Sequence, residues 1–317
     1  MTNLSTLSCF SGVGGFDFGA KLAGFNSILR SDFWNVPGEV FELNKPDAGK
    51  NIPEHFLSEG ECWAGKKGDV NYLISNEGRE ELAALIEKSI GMHNTVDVLM
   101  GGPPCHDISL LNPKRDVWTE KNELVFAYLK VAELFNPKVV LMEQVPELAS
   151  EPYRPLFDAI IEKVQNMGNY HLRFEIMNAM NYGSKQSRRR FILMLVRKDL
   201  KKLPSFPKPT EPDMSKVSIN AMFKDVVAYS TGDFSDKIVL AEGKMFPTLT
   251  AGGAHKFYKM DGVGRPLTVE ERMKVTDLEG LCLDGIAPTN IKKLLGNMVQ
   301  VKFSEAIFNH IKHHILN

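Results

Sequence analysis

The stretch Thr6-Leu7-Ser8-Cys9-Phe10-Ser11-Gly12-Val13-Gly14-Gly15 decides the reading of the fold. A short apolar run, Thr6–Phe10, enters a glycine loop, and a helical pattern follows from Phe16 to Leu22. Glycines at a strand-to-helix turn let the backbone bend tightly and approach a ligand, with the helix N-terminus facing it. The dinucleotide fingerprint G-x-G-x-x-G would need Gly or Ala at position 17, and the chain has Asp17. A pyrophosphate cradle is therefore disfavoured, while a nucleoside ligand stays open. Asp32 follows the next strand pattern, Ser27–Arg30. An acidic side chain there can accept hydrogen bonds from both hydroxyls of a ribose. A turn glycine and a capping Asp are the plainer alternative.

Working outward, Val96–Met100 and Lys138–Met142 read as short buried strands, with a helical pattern over Glu123–Phe135 between them. A further helix is expected over 153–167, with Pro155 near its start, and strands over His171–Ala179 and Phe191–Val196. Strands alternating with helices predict an α/β fold with a parallel sheet. Beyond Lys198 the pattern changes. Prolines at 204, 207, 209 and 212 make a linker-like stretch, and 213–264 has little helical period. Helical patterning resumes near Arg265, and Val299–Ile315 reads as a closing helix. These shifts predict two lobes: 1–197, rejoined by 286–317, and a smaller lobe over 198–285.

Composition narrows the function classes. Of 317 residues, 43% are hydrophobic and 24% charged, which excludes wholesale disorder. No apolar run reaches the roughly 18 residues of a membrane span. The start MTNLSTLSCFSG lacks the basic and apolar segments of a signal peptide. Cys9, Cys62, Cys105 and Cys282 are far apart, so neither a disulfide framework nor a structural zinc site is expected. Together these place the chain in a reducing cytoplasm. The net charge is -1, so nucleic-acid binding would need a local patch. From Ser184 to Pro209 there are nine Lys and Arg against the single anion Asp199. That segment is expected to grip phosphates.

Four further motifs could carry chemistry. Gly101-Gly102-Pro103-Pro104-Cys105 directly follows a strand and makes a stiff loop at its carboxyl end, where open α/β sheets bind ligands. Such a loop exposes Cys105, whereas the other cysteines default to small buried hydrophobes. Glu143-Gln144-Val145-Pro146 delivers a carboxyl to the same edge, and two reactive groups at neighbouring strand ends suggest a site. Gln186-Ser187-Arg188-Arg189-Arg190 leads into the last strand, and Gly296-Asn297-Met298-Val299 opens the closing helix. A basic surface loop and a helix cap are the plainer readings of these two.

Taken in order, these motifs resemble the DNA cytosine-5 methyltransferase family over almost the whole chain except about 200–245. Phe10–Gly15 is similar to the family's F-x-G-x-G-G, which holds S-adenosylmethionine, and implies Phe10, Ser11, Gly12, Gly14 and Gly15 as cofactor contacts. Asp32 and Phe33 match its acid on the ribose and aromatic on the adenine. Asp69 and Val70 resemble the G-D-I segment at the adenine amine. Gly102–Cys105 matches the loop of the cysteine nucleophile, and Glu143–Val145 matches E-N-V. Gln186, Arg188 and Arg190 fit Q-x-R-x-R. Arg265-Pro266-Leu267-Thr268 with Glu271 and Arg272 fits R-x-L-T-x-x-E. Gly296, Asn297 and Val299 fit G-N-x-V, which implies Asn297 and Val299, along with Gly102, as further cofactor contacts, and Thr248–Gly253 resembles the end of the recognition lobe. The chain departs from the family at His106, where Gln is usual, at Gln144, where Asn is usual, and over Met273–Asp277.

The resemblance implies a Rossmann-like S-adenosylmethionine-dependent methyltransferase sheet with helices on both faces, plus a smaller target-recognition lobe. It implies transfer of a methyl group to carbon 5 of a flipped-out cytosine in a specific double-stranded DNA sequence, with S-adenosyl-L-homocysteine as product. Cys105 would add at ring carbon 6, supported as a thiolate by Arg188 and Arg190. Glu143 would serve ring nitrogen 3 and Arg190 the ring oxygen. No metal is required. A monomer in a bacterial, archaeal or phage-infected cytoplasm is expected, with a cognate restriction endonuclease as an open partner. A tRNA cytosine-5 methyltransferase would carry C-F-T, which the chain lacks. A catalytically dead DNA-binding regulator would have lost Cys105 or Glu143. A nicotinamide dehydrogenase is disfavoured by Asp17.

Overall fold

The computed structural model describes residues 4–46, 51–104, 119–231 and 237–317. Its main sheet has seven strands: β1 (Leu4–Cys9), β2 (Phe25–Asp32), β3 (Glu61–Ala64), β4 (Val98–Gly101), β5 (Val139–Gln144), β6 (Tyr170–Asn178) and β7 (Arg189–Arg197). Their order is β3-β2-β1-β4-β5-β7-β6. β1 to β5 run parallel, and β7 runs antiparallel to both β5 and β6. The order reverses between β1 and β4, so a crevice opens beyond the carboxyl ends of those two strands.

Strand periodicity sends successive side chains to opposite faces. Val98, Met100, Val139, Leu141, Ile192, Met194 and Val196 pack on one face, under α1 (Gly15–Leu22) and the late helix Val301–His310. Leu99, Val140, Met142, Phe191, Leu193 and Leu195 pack on the other. That second face is covered by α4 (Asn76–Ile90), α5 (Glu120–Phe135) and α6 (Arg154–Met167). The continuous apolar runs in β4 and β5 are what a strand buried on both faces requires. Thr119 caps α5 by accepting from the Asn122 N–H, and the helix ends at Asn136 in the left-handed region. Between these elements lie α2 (Asn35–Leu43) and the one-turn α3 (Val70–Leu73).

The remaining chain builds a four-stranded antiparallel sheet of β8 (Ala228–Ser230), β9 (Val239–Leu240), β10 (Lys256–Tyr258) and β11 (Gly264–Pro266), in the order β11-β10-β8-β9. Short helices α7 (Met214–Val217) and α8 (Ile219–Met222) precede it. The proline-rich stretch after β7 first lies against the large sheet's layers. The Tyr182 hydroxyl reaches Pro207 O, the Thr210 N–H donates to Asn181 O, and Phe206 packs among the large-lobe residues.

After the small sheet come α9 (Val269–Val275), α10 (Pro288–Asn297) and α11 (Val301–His310). The closing helix expected from 299 is thus α11, and its end winds into a π-helical turn, Ile311–Leu316. Gly296 and Asn297 end α10, and Met298 and Val299 lead on towards α11, so the motif closes one helix rather than opening the next. Ser304 Oγ donates to Phe16 O, docking α11 on α1.

Candidate active site

A cleft of about 1980 Å³ runs along the carboxyl edge of the main sheet, with the small lobe as its far wall. Its first wall is the turn from β1 into α1. Phe10, Gly12 and Gly14 all have positive φ there, at 55°, 53° and 94°. The turn is tied to β2, since Ser11 N donates to Ser31 O and Gly12 N donates to Asp32 Oδ2 at 2.9 Å. Asp32 Oδ1 accepts the Trp34 N–H at 2.9 Å. Burial pushes the Asp32 carboxyl above the usual carboxylate range, and the two N–H donors oppose that. Phe33 beside it is 64% exposed. Asp69 also lines the cleft, while its Oδ1 caps α3 by accepting from Asn71 N. Val70 and Gly14 are buried behind the lining.

Asp17, which broke the dinucleotide pattern, lies beneath this turn. Its Oδ2 accepts from Ser8 Oγ, and its Oδ1 is 3.3 Å from Arg30 Nε. The Arg30 guanidinium is sandwiched by the rings of Phe18 and Phe41. A Cβ on Gly14 would fall 2.9 Å from Arg30 Nη1. This buried pair supports the loop from below, and spacing alone gave no sign of it.

The second wall comes from β4 and β5. Gly102, Pro103 and Pro104 line the cleft, and Gln144 Nε2 donates to Pro103 O at 2.8 Å. Gln144 thus ties the end of β5 to the proline loop, despite being one methylene longer than the expected Asn. Cys105 and His106 lie outside the described residues. Glu143 Oε1 is 2.5 Å from Arg190 Nε, and each side chain is 12% exposed. A Cβ on Gly102 would fall 3.1 Å from Glu143 Oε2, so that oxygen faces the proline loop. The antiparallel direction of β7 makes this pair possible, because it brings the start of β7 to the end of β5.

The small lobe closes the far wall through a dense set of bonds to 186–188. Gln186 Oε1 accepts the Leu249 N–H, and Gln186 Nε2 donates to Val275 O. Arg188 Nη1 donates to Leu249 O at 2.9 Å, and Thr248 Oγ1 donates to Ser187 O. Arg188 is buried and lines the cleft. The segment 250–251 then packs on α10. A Cβ on Gly296 would fall 2.3 Å from Ala251 N, which accounts for that glycine. A Cβ on Gly15 would fall 2.0 Å from Val299 O. Asn297 and Val299 both line the cleft.

The expected phosphate grip over 184–209 is not one patch. Lys185 pairs with Asp277 and Glu279, Arg190 with Glu143, and Arg197 with Asp199. Lys198 donates to Gly168 O. Arg189 and Arg197 are the first and last residues of the nine-residue β7, so they lie at opposite ends of the strand. Arg189 is the exposed arginine of the run that lines the cleft.

Comparison with known proteins agrees with this architecture. A family model described as C-5 cytosine-specific DNA methylase matches residues 4–261. The Type II methyltransferase M.MthTI of Methanothermobacter thermautotrophicus is 26% identical over 276 residues, covering 80% of this chain and 74% of the relative. DNA (cytosine-5)-methyltransferase 4 of Arabidopsis thaliana is 30% identical over 218 residues, covering 65% of this chain and 14% of that much longer protein. A solved structure of Spodoptera frugiperda DNMT2 superposes with a TM-score of 0.64 at 17% identity, covering 96% of this chain and 98% of that one. A solved structure of a prophage-encoded E. coli protein gives a TM-score of 0.69 at 18% identity, covering 99% and 100%. A match that starts in β1, takes in both strand-end motifs of the cleft and runs on into the small sheet as far as β10 leaves one assignment: the chain belongs to the C-5 cytosine-specific DNA methylase family.

Proposed function

We propose that the chain transfers a methyl group from S-adenosylmethionine to carbon 5 of a flipped-out cytosine in a specific double-stranded DNA sequence, through a covalent bond to Cys105. The observation that carries this reading is the Glu143–Arg190 pair, set beside the Gly102–Pro104 loop in the same cleft as Asp32 and Phe33.

The residues present fit a nucleoside-bearing cofactor. Gly12 has open space where a Cβ would stand, and Asp32 offers a buried carboxylate with lone pairs to spare beyond its two backbone donors. The exposed Phe33 ring supplies a stacking face. When bound, S-adenosylmethionine supplies an electrophilic methyl group on a sulfonium. Gly102 and the Pro103–Pro104 loop would leave room for it beside the target ring.

The protein's own work is on the cytosine. The Cys105 thiolate adds to ring carbon 6, and its electron pair moves through the ring towards carbon 5 and nitrogen 3. Glu143 Oε2, on the Gly102 side, would hold a proton against nitrogen 3 and so relieve that charge, while Arg190 holds Oε1 and orients the carboxyl. After carbon 5 takes the methyl group, a base removes its hydrogen as a proton. The electrons return to expel Cys105. Arg188, fixed by Leu249 O, contributes positive charge at this edge.

Tritiated methyl incorporation into duplex DNA rather than tRNA tests the substrate. A duplex carrying 5-fluorocytosine at the target tests the bond, since fluorine cannot leave as a proton does. Wild-type protein should be trapped and Cys105→Ser should not, while Cys9→Ser, Cys62→Ser and Cys282→Ser should be. Trapping that persists in Cys105→Ser would overturn the proposed mechanism. The cytoplasm is the expected setting, and a monomer acting in a restriction-modification system is the working arrangement.

A further inference from the structure

Lys293 stands outside every motif in the sequence, yet it lines the cleft with Asp32, Phe33 and Trp34. It projects from α10, whose Ile291, Leu294 and Leu295 are buried, and its ammonium lies 4.5 Å from the centroid of the Trp34 ring. The Trp34 backbone N–H in turn donates to Asp32 Oδ1. A cation over an indole is attracted by the ring's negative face, so Lys293 fixes the ring and with it the start of α2. Two segments far apart in sequence therefore meet over one carboxylate.

We propose that Lys293 is a positioning residue of the nucleoside site, clamping Trp34 and keeping Asp32 available as an anionic acceptor for the hydroxyls of a ribose. This rests on the reading of the cleft as an S-adenosylmethionine site. The chemistry needs such a charge. A carboxyl accepts from two hydroxyls best when ionised, because protonation turns one oxygen into a donor, and burial opposes ionisation of Asp32. Among the described residues, the other charged or titratable groups near Asp32 do not help it. Arg30 is paired with Asp17. Cys62, on the neighbouring strand β3, is itself pushed up by burial. Asp69, next to the Gly68 that abuts the Asp32 carbonyl, carries the same sign as Asp32. The Trp34 and Gly12 N–H groups oppose the effect of burial first, and Lys293 adds the positive charge that acts in the same direction.

The test is calorimetric titration of the full chain with S-adenosylmethionine across pH, for wild type, Lys293→Met and Lys293→Arg. Lys293→Met keeps the apolar stem and removes the charge. It should bind about three- to tenfold more weakly near neutral pH. The pH below which binding falls should also move upward, because Asp32 then protonates more readily. Lys293→Arg should restore both, since a guanidinium also sits over an indole. Wild-type affinity and an unmoved pH profile in Lys293→Met would overturn the proposal. So would a pH-independent loss accompanied by a lowered melting temperature, which is the mark of packing alone. Wild-type protein that binds neither S-adenosylmethionine nor S-adenosylhomocysteine would overturn the cofactor reading, and this proposal with it.

Discussion

Gly15 has no room for a side chain, because the Val299 carbonyl occupies the position its Cβ would take. Both partners are backbone, so neither can rotate away. Gly15→Ala should therefore push α1 off the segment after α10, at about 1–3 kcal/mol of stability, read by thermal melting. Cofactor affinity should fall with it, since the same turn holds Asp32 through Gly12. Arg188 poses the opposite case, a large side chain that must stay. Arg188→Met would leave the buried Leu249 carbonyl without this donor, a loss of about 1–3 kcal/mol that a urea midpoint would register. Glu143→Gln keeps the volume but removes the charge facing Arg190. It should reduce turnover sharply while leaving cofactor affinity near wild type, which single-turnover kinetics and calorimetry can separate.

At the scale of elements, direction matters as much as position. The start of β7 reaches the cleft only because the strand runs antiparallel, and its far end is about 26–27 Å away at the usual rise per residue. Arg189→Ala should thus weaken DNA binding and reduce the salt slope by about 0.9, whereas Lys198→Ala should leave both unchanged. A slope equally reduced by both would mean that DNA crosses both edges of the sheet. The sequence could not reveal this arrangement. Apolar runs in β1, β4 and β5 announce buried strands, and the glycine turn announces a ligand edge. Nothing in Phe191–Val196 distinguishes a parallel strand from an antiparallel one, because both faces are buried either way. β3 was invisible for another reason. Glu61-Cys62-Trp63-Ala64 is a short edge strand with a single fully buried side chain, so it carries no alternation to read. The site motifs were legible because their residues are few, local and at strand ends. Asp17–Arg30 and Lys293–Trp34 were not, since each pair joins separate elements.

The two lobes of the molecule are pinned at a charged junction as well as through Gln186 and Arg188. Lys185, just before β7, reaches Asp277 Oδ1 at 3.2 Å and Glu279 Oε2 at 2.6 Å. Asp277 is held with a positive φ of 60°, and its buried Oδ2 has no hydrogen-bond partner. Burial pushes its carboxyl up to about 6, against the opposing charges of Lys185 and Lys302 and with Glu279 adding to the rise. A raised carboxyl value means the folded chain prefers the protonated form. The junction is therefore least strained at acid pH, and its contribution declines as pH rises from the unfolded value near 4 through about 6. Asp277→Asn mimics the protonated form at every pH. The variant should match wild type in stability at about pH 4 and exceed it by up to about 3 kcal/mol at about pH 7.5. Thermal melts at the two pH values would measure that difference directly. A variant less stable than wild type at neutral pH would mean that the attraction to Lys185 outweighs the burial of the charge. The lobes would then be joined by that ion pair, and the hydrogen bonds of Gln186 and Arg188 would be secondary.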